Sequence, residues 1–147
     1  METQTSNKKA SPKKIKLDFR DSKYATGRRK RSIAKVWVKK GSGVIHVNGM
    51  KMNDYFKRPV HQIIVVRPLE LTNISTSYDV RASVKGGGLS GQAGAIIHGL
   101  SRALVLHDET LKTTLKKEKL MTRDSRVVER KKYGRAKARR SFQFSKR

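Results

Sequence analysis

The stretch Gly86-Gly87-Gly88-Leu89-Ser90-Gly91 satisfies the pattern G-x-G-x-x-G, the spacing that lets a backbone turn tightly after a strand and bring the free amides of a helix N-terminus onto a phosphate. A dinucleotide fold would also need a second parallel strand ending in an acid about 20 residues further on. Asp108 and Glu109 stand near that distance but follow a helical pattern, and Gln92 and Ala93 occupy the positions where a P-loop needs Lys and Ser or Thr. What survives is a backbone contact at Lys85, Gly86, Gly87, Gly88, Ser90, Gly91 and Gln92, made either to a phosphate of a polymer or to another stretch of chain. His46, His61, His98 and His107 lack metal-ligand spacing apart from a distant pair at 98 and 107. Ser90 and Ser101 have no visible catalytic company, and there is no cysteine. No enzyme activity, cofactor or metal is expected.

Cations supply the other candidate chemistry. Thr26-Gly27-Arg28-Arg29-Lys30-Arg31 packs four of them in a row, and arginine forks grip phosphate oxygens bidentately. Arg123, Arg126, Arg130, Lys131 and Lys132 continue the theme near the C-terminus, followed by Arg135, Lys137, Arg139 and Arg140. Among them Tyr133, with Phe142 and Phe144 beyond, is suited to stacking on exposed bases or packing on a neighbouring protein. By composition alone this tail would also suit a histone-like tail or a localisation signal, and the chain as a whole a histone-like or antitermination-type nucleic-acid binder.

Across 147 residues, 36 Lys and Arg face 11 Asp and Glu, a formal charge of +25. A self-repelling charge of this size implies a polyanionic partner, nucleic acid first. No stretch approaches the roughly 18 apolar residues of a membrane span, and the first 23 lack a secretory signal's apolar run. Net charge is +8 over residues 1–31, +8 over 32–121 and +9 over 122–147, whereas 38 of the 52 apolar residues lie in the middle part. The middle is long enough for one small core. The two ends bury too little apolar surface to offset their ordering entropy and are expected to stay disordered until bound.

Elements to position these groups follow from periodicity. Residues 32–38 alternate as a strand, and Gly41-Ser42-Gly43 followed by Val44, Ile45 and Val47 predicts a hairpin with it. Residues 52–56 suit a helical turn. After Pro59, Val60, Ile63 and Ile64 share one face of a short helix that Pro68 ends, although 63–66 also suits a strand. Residues 78–85 alternate with Val80, Ala82 and Val84 inward. From Ser90, the residues Ala93, Ile96, Ile97, Leu100, Leu104 and His107 define the face of an amphipathic helix. Asp108 and Glu109 then cap a second helix over 110–120, with Lys116, Lys117 and Lys119 toward its end, so the two acids are structural.

Three motifs in order make the chain distinctive: Tyr24-Ala25-Thr26-Gly27-Arg28-Arg29-Lys30, then Val84-Lys85 through the glycine loop to Gln92-Ala93-Gly94-Ala95, then the terminal Gln143-Phe144-Ser145-Lys146-Arg147. Over about residues 24–147 the sequence resembles the ninth-protein family of the small ribosomal subunit. That resemblance implies an α+β fold: a small mixed sheet with helices packed on one face, of split β-α-β topology, with extended basic N- and C-terminal arms. It further implies a basic extension at 1–23, a globular domain at 24–121 and a tail at 122–147. The implied partners are the 3′ major domain of small-subunit ribosomal RNA, neighbouring head proteins and P-site tRNA, with one copy per subunit, no homo-oligomer and no membrane. Ribosomal RNA contacts are implied for the 26–31 run, the glycine loop and the tail cations, and tRNA contact for Ser145, Lys146 and Arg147.

The implied location is the ribosome of a bacterial cytoplasm or, alternatively, a mitochondrial matrix. Many bacterial members carry a proline before the terminal motif; Ser141-Phe142 stands here instead, a form similar to alphaproteobacterial and mitochondrial members that leaves the tip less stiff. Residues 1–23 read as an RNA-binding extension or an organelle-targeting leader, and their lysine bias favours the first.

Overall fold

A computed structural model describes residues 19–145. Its elements are β1 (Lys23–Arg29), β2 (Ser32–Lys40), β3 (Ile45–Val47), β4 (Met50–Lys51), α1 (Met52–Tyr55), α2 (Pro59–Leu71), β5 (Tyr78–Lys85), α3 (Leu89–His107) and α4 (Leu111–Lys117). The strands form one mixed sheet in the order β1-β2-β5-β3-β4. β1–β2, β2–β5 and β3–β4 are antiparallel, while β3 and β5 are parallel and joined through β4, α1 and α2. The fold is α+β with the helices on one face, as the resemblance implied.

Alternation decides which face the helices cover. In β2, Ala34, Val36 and Val38 are buried, and in β5 so are Val80, Ala82 and Val84. The register pairs Ala34 with Val84, Val36 with Ala82 and Val38 with Val80, so the apolar residues form continuous rows. Against them lies α3, contributing Ala93, Ile96, Leu100, Ala103 and Leu104 to the core. Leu115 of α4 and Phe56 beyond α1 complete it.

Several expectations are corrected. The glycine-serine-glycine segment does not close a hairpin: the chain crosses the end of β5 and β3 pairs on its far side, while β5 itself takes the place beside β2. Asp79 holds that crossing, its Oδ1 accepting from the backbone amides of Ser42 and Val44, each at 2.9 Å. Burial alone would raise the Asp79 pKa, but these donors and the Ser42 hydroxyl outweigh it and keep the carboxyl below its ordinary range.

Second, α2 does not stop at Pro68. Its buried stripe is Val65, Pro68 and Leu69, an i, i+3, i+4 set, and Val60 and Ile63 face outward at 63% and 62% exposure. Burying Pro68 and Leu69 offsets the backbone hydrogen bond that the proline forfeits, about 3 kcal/mol in an open helix. Asp108, in turn, makes no side-chain cap: it accepts the Tyr78 hydroxyl at 2.9 Å and so fixes the end of α3 to the start of β5. It is structural by a different bond.

Third, the cationic run is not an arm. Residues 23–29 form the edge strand β1, paired with β2 along its whole length. Its inward residues are Ala25 and Gly27, too small to signal a buried strand, because the backbone of α3 passes directly against them. A Cβ on Gly27 would lie 1.9 Å from the Ala95 carbonyl oxygen and 2.4 Å from the Gly99 nitrogen. Gly27→Ala is therefore expected to force β1 from α3 and to cost about 3 kcal/mol in chemical unfolding. Gly88→Ala is the matched control: φ there is −107°, no atom lies within 4 Å, and the change should stay within about 0.5 kcal/mol.

Candidate nucleic-acid interface

The two motifs that lie 55 positions apart in sequence meet at one end of the sheet. Arg29 pairs with Ser32 across the two-residue turn Lys30-Arg31, and the glycine loop lies on that turn. A Cβ on Gly86 would come within 2.5 Å of the Arg31 carbonyl oxygen, and one on Gly87 within 2.2 Å of Ser32 Oγ. Both have positive φ, 77° and 59°, which excludes most side chains independently. Close packing thus confines both, Gly86 against the Arg31 backbone and Gly87 against the Ser32 side chain, and Gly91 is similarly confined by Ser32. Gly88, exposed and uncrowded, is the glycine that no internal contact explains.

A partly buried network holds this junction. Ser32 donates to the Gly86 carbonyl at 3.0 Å, and Gln92 Nε2 donates to the same oxygen at 3.2 Å. Gln92 Oε1 in turn accepts the Tyr55 hydroxyl at 2.7 Å. Asn48 closes the ladder end of β5, with its amide donating to the Val84 carbonyl at 3.0 Å and its Oδ1 accepting the Val84 N–H at 2.8 Å. Gln92 was expected at the site, but its side chain faces the loop rather than a ligand. Ser32, Asn48 and Tyr55 lie outside the motifs named above, and of the three only Asn48, followed by Gly49, carries a turn signal in the sequence.

The turn itself presents Arg28, Lys30 and Arg31 outward, with Lys85 on the adjoining strand. Lys30 has φ 50°, in the left-handed region that a lysine adopts at a cost of order 1 kcal/mol. Arg29 points the other way, onto α3. Its side chain fills the space over Gly94, where a Cβ would lie 2.1 Å from Cδ, and its Nη2 reaches Asp124 Oδ2 at 3.2 Å. Asp124 also takes a bidentate grip from Arg126, at 3.0 and 2.9 Å. Arg126 foremost, with Arg29 adding its charge, holds the Asp124 carboxyl far below the usual carboxylate range. The tail therefore leaves the domain beside the turn and the glycine loop.

Two side chains of α3 seal the open edge of β1. Arg102 Nη1 donates to the Thr26 carbonyl at 2.8 Å, and the Arg28 N–H donates to His98 Nδ1 at 3.3 Å. These bonds leave Thr26 with a positioning part and occupy polar groups that an unprotected edge would offer to another strand. Burial, then the charges of Arg102 and Arg123, lower the His98 pKa against an opposing backbone bond at Met121.

Beyond Met121 the described tail has no helix or strand. Local contacts shape it: Arg139 pairs bidentately with Glu129 at 2.9 Å, Arg135 donates to the Arg139 carbonyl at 2.7 Å, and Arg130 lies 6.0 Å from the Tyr133 ring centre. Arg123, Lys131, Lys132 and Arg140 are exposed and Lys137 is too, as are Tyr133, Phe142, Phe144 and Ser145. Lys146 and Arg147 lie outside the described residues. The structure brings the turn, the glycine loop and the root of the tail together; among the described residues it does not bring the rest of the tail to them. A family model described as ribosomal protein S9/S16 matches residues 27–147.

Neutral His98 accepts the Arg28 amide, and protonation removes that acceptor. With a folded pKa below the ordinary 6.5, the stabilisation is complete above pH 6.5 and is lost as pH falls through the lowered value. Hydrogen exchange of the Arg28 amide, corrected for intrinsic chemistry, should accelerate over that fall. In His98→Ala the amide should exchange fast throughout, with no pH-dependent step.

Proposed function

The chain belongs to the ribosomal protein S9/S16 family, and from that premise we propose that its C-terminal tip, Ser145, Lys146 and Arg147, contacts P-site tRNA while the rest grips the 3′ major domain of small-subunit ribosomal RNA. Family membership makes the chain a structural constituent of the small ribosomal subunit that binds ribosomal RNA, beside other ribosomal proteins and within the ribosome; the family is structural, not enzymatic. The finer assignments are our reading. Residues 24–121 form the anchoring domain, 122–147 the penetrating tail and 1–23 a basic extension, present once per subunit. A bacterial cytoplasm fits this reading, with the mitochondrial matrix as the alternative.

The observation that carries it is the convergence of the Arg28–Arg31 turn, the glycine loop and the root of the tail on one end of the sheet. Like charges gathered this closely repel one another in the free protein, and a polyanion relieves that repulsion. Counterion release then gives each neutralised phosphate about 0.7 to 0.9 units of slope in log affinity against log salt. Lysine at position 30, where glycine would sit without strain, fits a residue retained for its charge.

Lys30→Gly separates stability from binding: it is expected to stabilise the isolated chain by up to about 1 kcal/mol while lowering the ribosomal RNA salt slope by about one unit. Subunits lacking Lys146 and Arg147 should assemble normally yet hold P-site tRNA more weakly, with a shallower salt dependence. Unchanged tRNA affinity across a salt series in those subunits would remove the proposed role of the tip.

A further inference from the structure

The helices pack on one face of the sheet, and the residues that the other face presents, among those described, are unlike a solvated surface in composition. Outward residues run in rows across the strands. Arg28, Ile33 and Lys85 form the row next to the turn and glycine loop, then come Thr26, Lys35 and Ser83, then Tyr24, Trp37 and Arg81. Lys39 and Asp79 follow, and Asp79 is the one carboxylate among these rows. Its Oδ1 accepts from the amides of Ser42 and Val44, and it stands in the row farthest from Arg28 and Lys85.

At the centre, the Tyr24 and Trp37 rings lie 5.3 Å apart at 40°, and the Arg81 guanidinium sits 5.5 Å from the Trp37 ring centre. Tyr24 is 44% exposed and Ile33 37%, although both stand on regular strands beside a packed core. We propose that this open sheet face is a second ribosomal RNA surface, continuous with the turn and glycine loop. A phosphate backbone crosses Arg28, Lys35 and Lys85, and a base or ribose rests on the Tyr24–Trp37 pair. The proposal builds on the chain's binding of ribosomal RNA and adds where that RNA lies.

Spacing supports one polyanion. Neighbouring strands are about 4.8 Å apart and outward residues about 6.7 Å apart along a strand, so the anchor points of the three cations fall within about 10 Å. At 0.1 M salt that is one Debye length, and their fields add. A protein partner would have to cover Lys35, Lys39 and Lys85, whereas lysine is depleted at protein interfaces. The Tyr24 and Trp37 rings suit nucleic acid bases, which stack on aromatic side chains.

Trp37 is the only tryptophan in the chain, so its emission reports on this face alone. On titrating the full chain with small-subunit ribosomal RNA, Trp37 should be quenched and shielded from acrylamide. Lys35→Glu should lower the salt slope by about one unit and reduce the shielding, with the circular dichroism of the free chain unchanged. The same reversal at Lys117, on α4 at the helical side, should leave the shielding intact. If RNA binds tightly while Trp37 stays as accessible as in the free chain, this face is not an RNA surface, although the ribosomal assignment stands. Shielding that appears only when other small-subunit proteins join the RNA complex would equally overturn it, in favour of a protein contact. Failure of the full chain to bind the RNA at all would instead strike the family reading.

Discussion

The closeness of β1 to α3 is the constraint on which the rest depends. Gly27 and Gly99 face each other without side chains, and a Cβ on Gly99 would meet Val36 at 2.8 Å and the Gly27 nitrogen at 3.0 Å. Because the helix lies against the strand backbone, Arg29 can reach over Gly94 to Asp124, His98 and Arg102 can reach the edge of β1, and the N-terminus of α3 falls beside the Lys30-Arg31 turn. An uncharged contact of small residues thus gathers cations that would separate if left to electrostatics. Two unit charges 4 Å apart in water repel by only about 1 kcal/mol, which a well-packed core readily offsets.

That same contact explains what was readable in the sequence. β5 and β2 announce themselves because their inward positions carry valine, and α3 because leucine and isoleucine recur at helical spacing. β1 does not, since Ala25 and Gly27 are small for the reason just given, and it ends in Arg28 and Arg29, part of the cationic run that composition assigns to an arm. The Gly41-Ser42-Gly43 segment has the chemistry of a hairpin turn, and only the long-range demand of β5 for a place beside β2 rules that out. Sequence periodicity is local and strand order is not.

The glycine loop gives a subtler lesson. Its need for glycine was legible, but a phosphate and a neighbouring backbone require the same absence of side chain. Gly86 and Gly87 pack on Arg31 and Ser32, so the loop is at the least the joint that fastens the cationic turn. The tail cations were legible from composition, whereas Asp124 and Glu129 were not recognisable as organisers. Each is an acid that gathers arginine within the tail, and Asp124 also fixes the direction in which the chain departs.

The central claim is that domain and tail grip one ribosomal RNA electrostatically, from a shared starting point beside the turn and glycine loop. Its most direct test compares the salt dependence of small-subunit ribosomal RNA binding for the full chain and for a chain ending at Met121. Both should bind, and the shortened chain should show a slope shallower by several units, about 0.7 to 0.9 for each phosphate that the tail neutralises. Identical slopes would contradict the account, because the tail would then carry its charge past the RNA without engaging it.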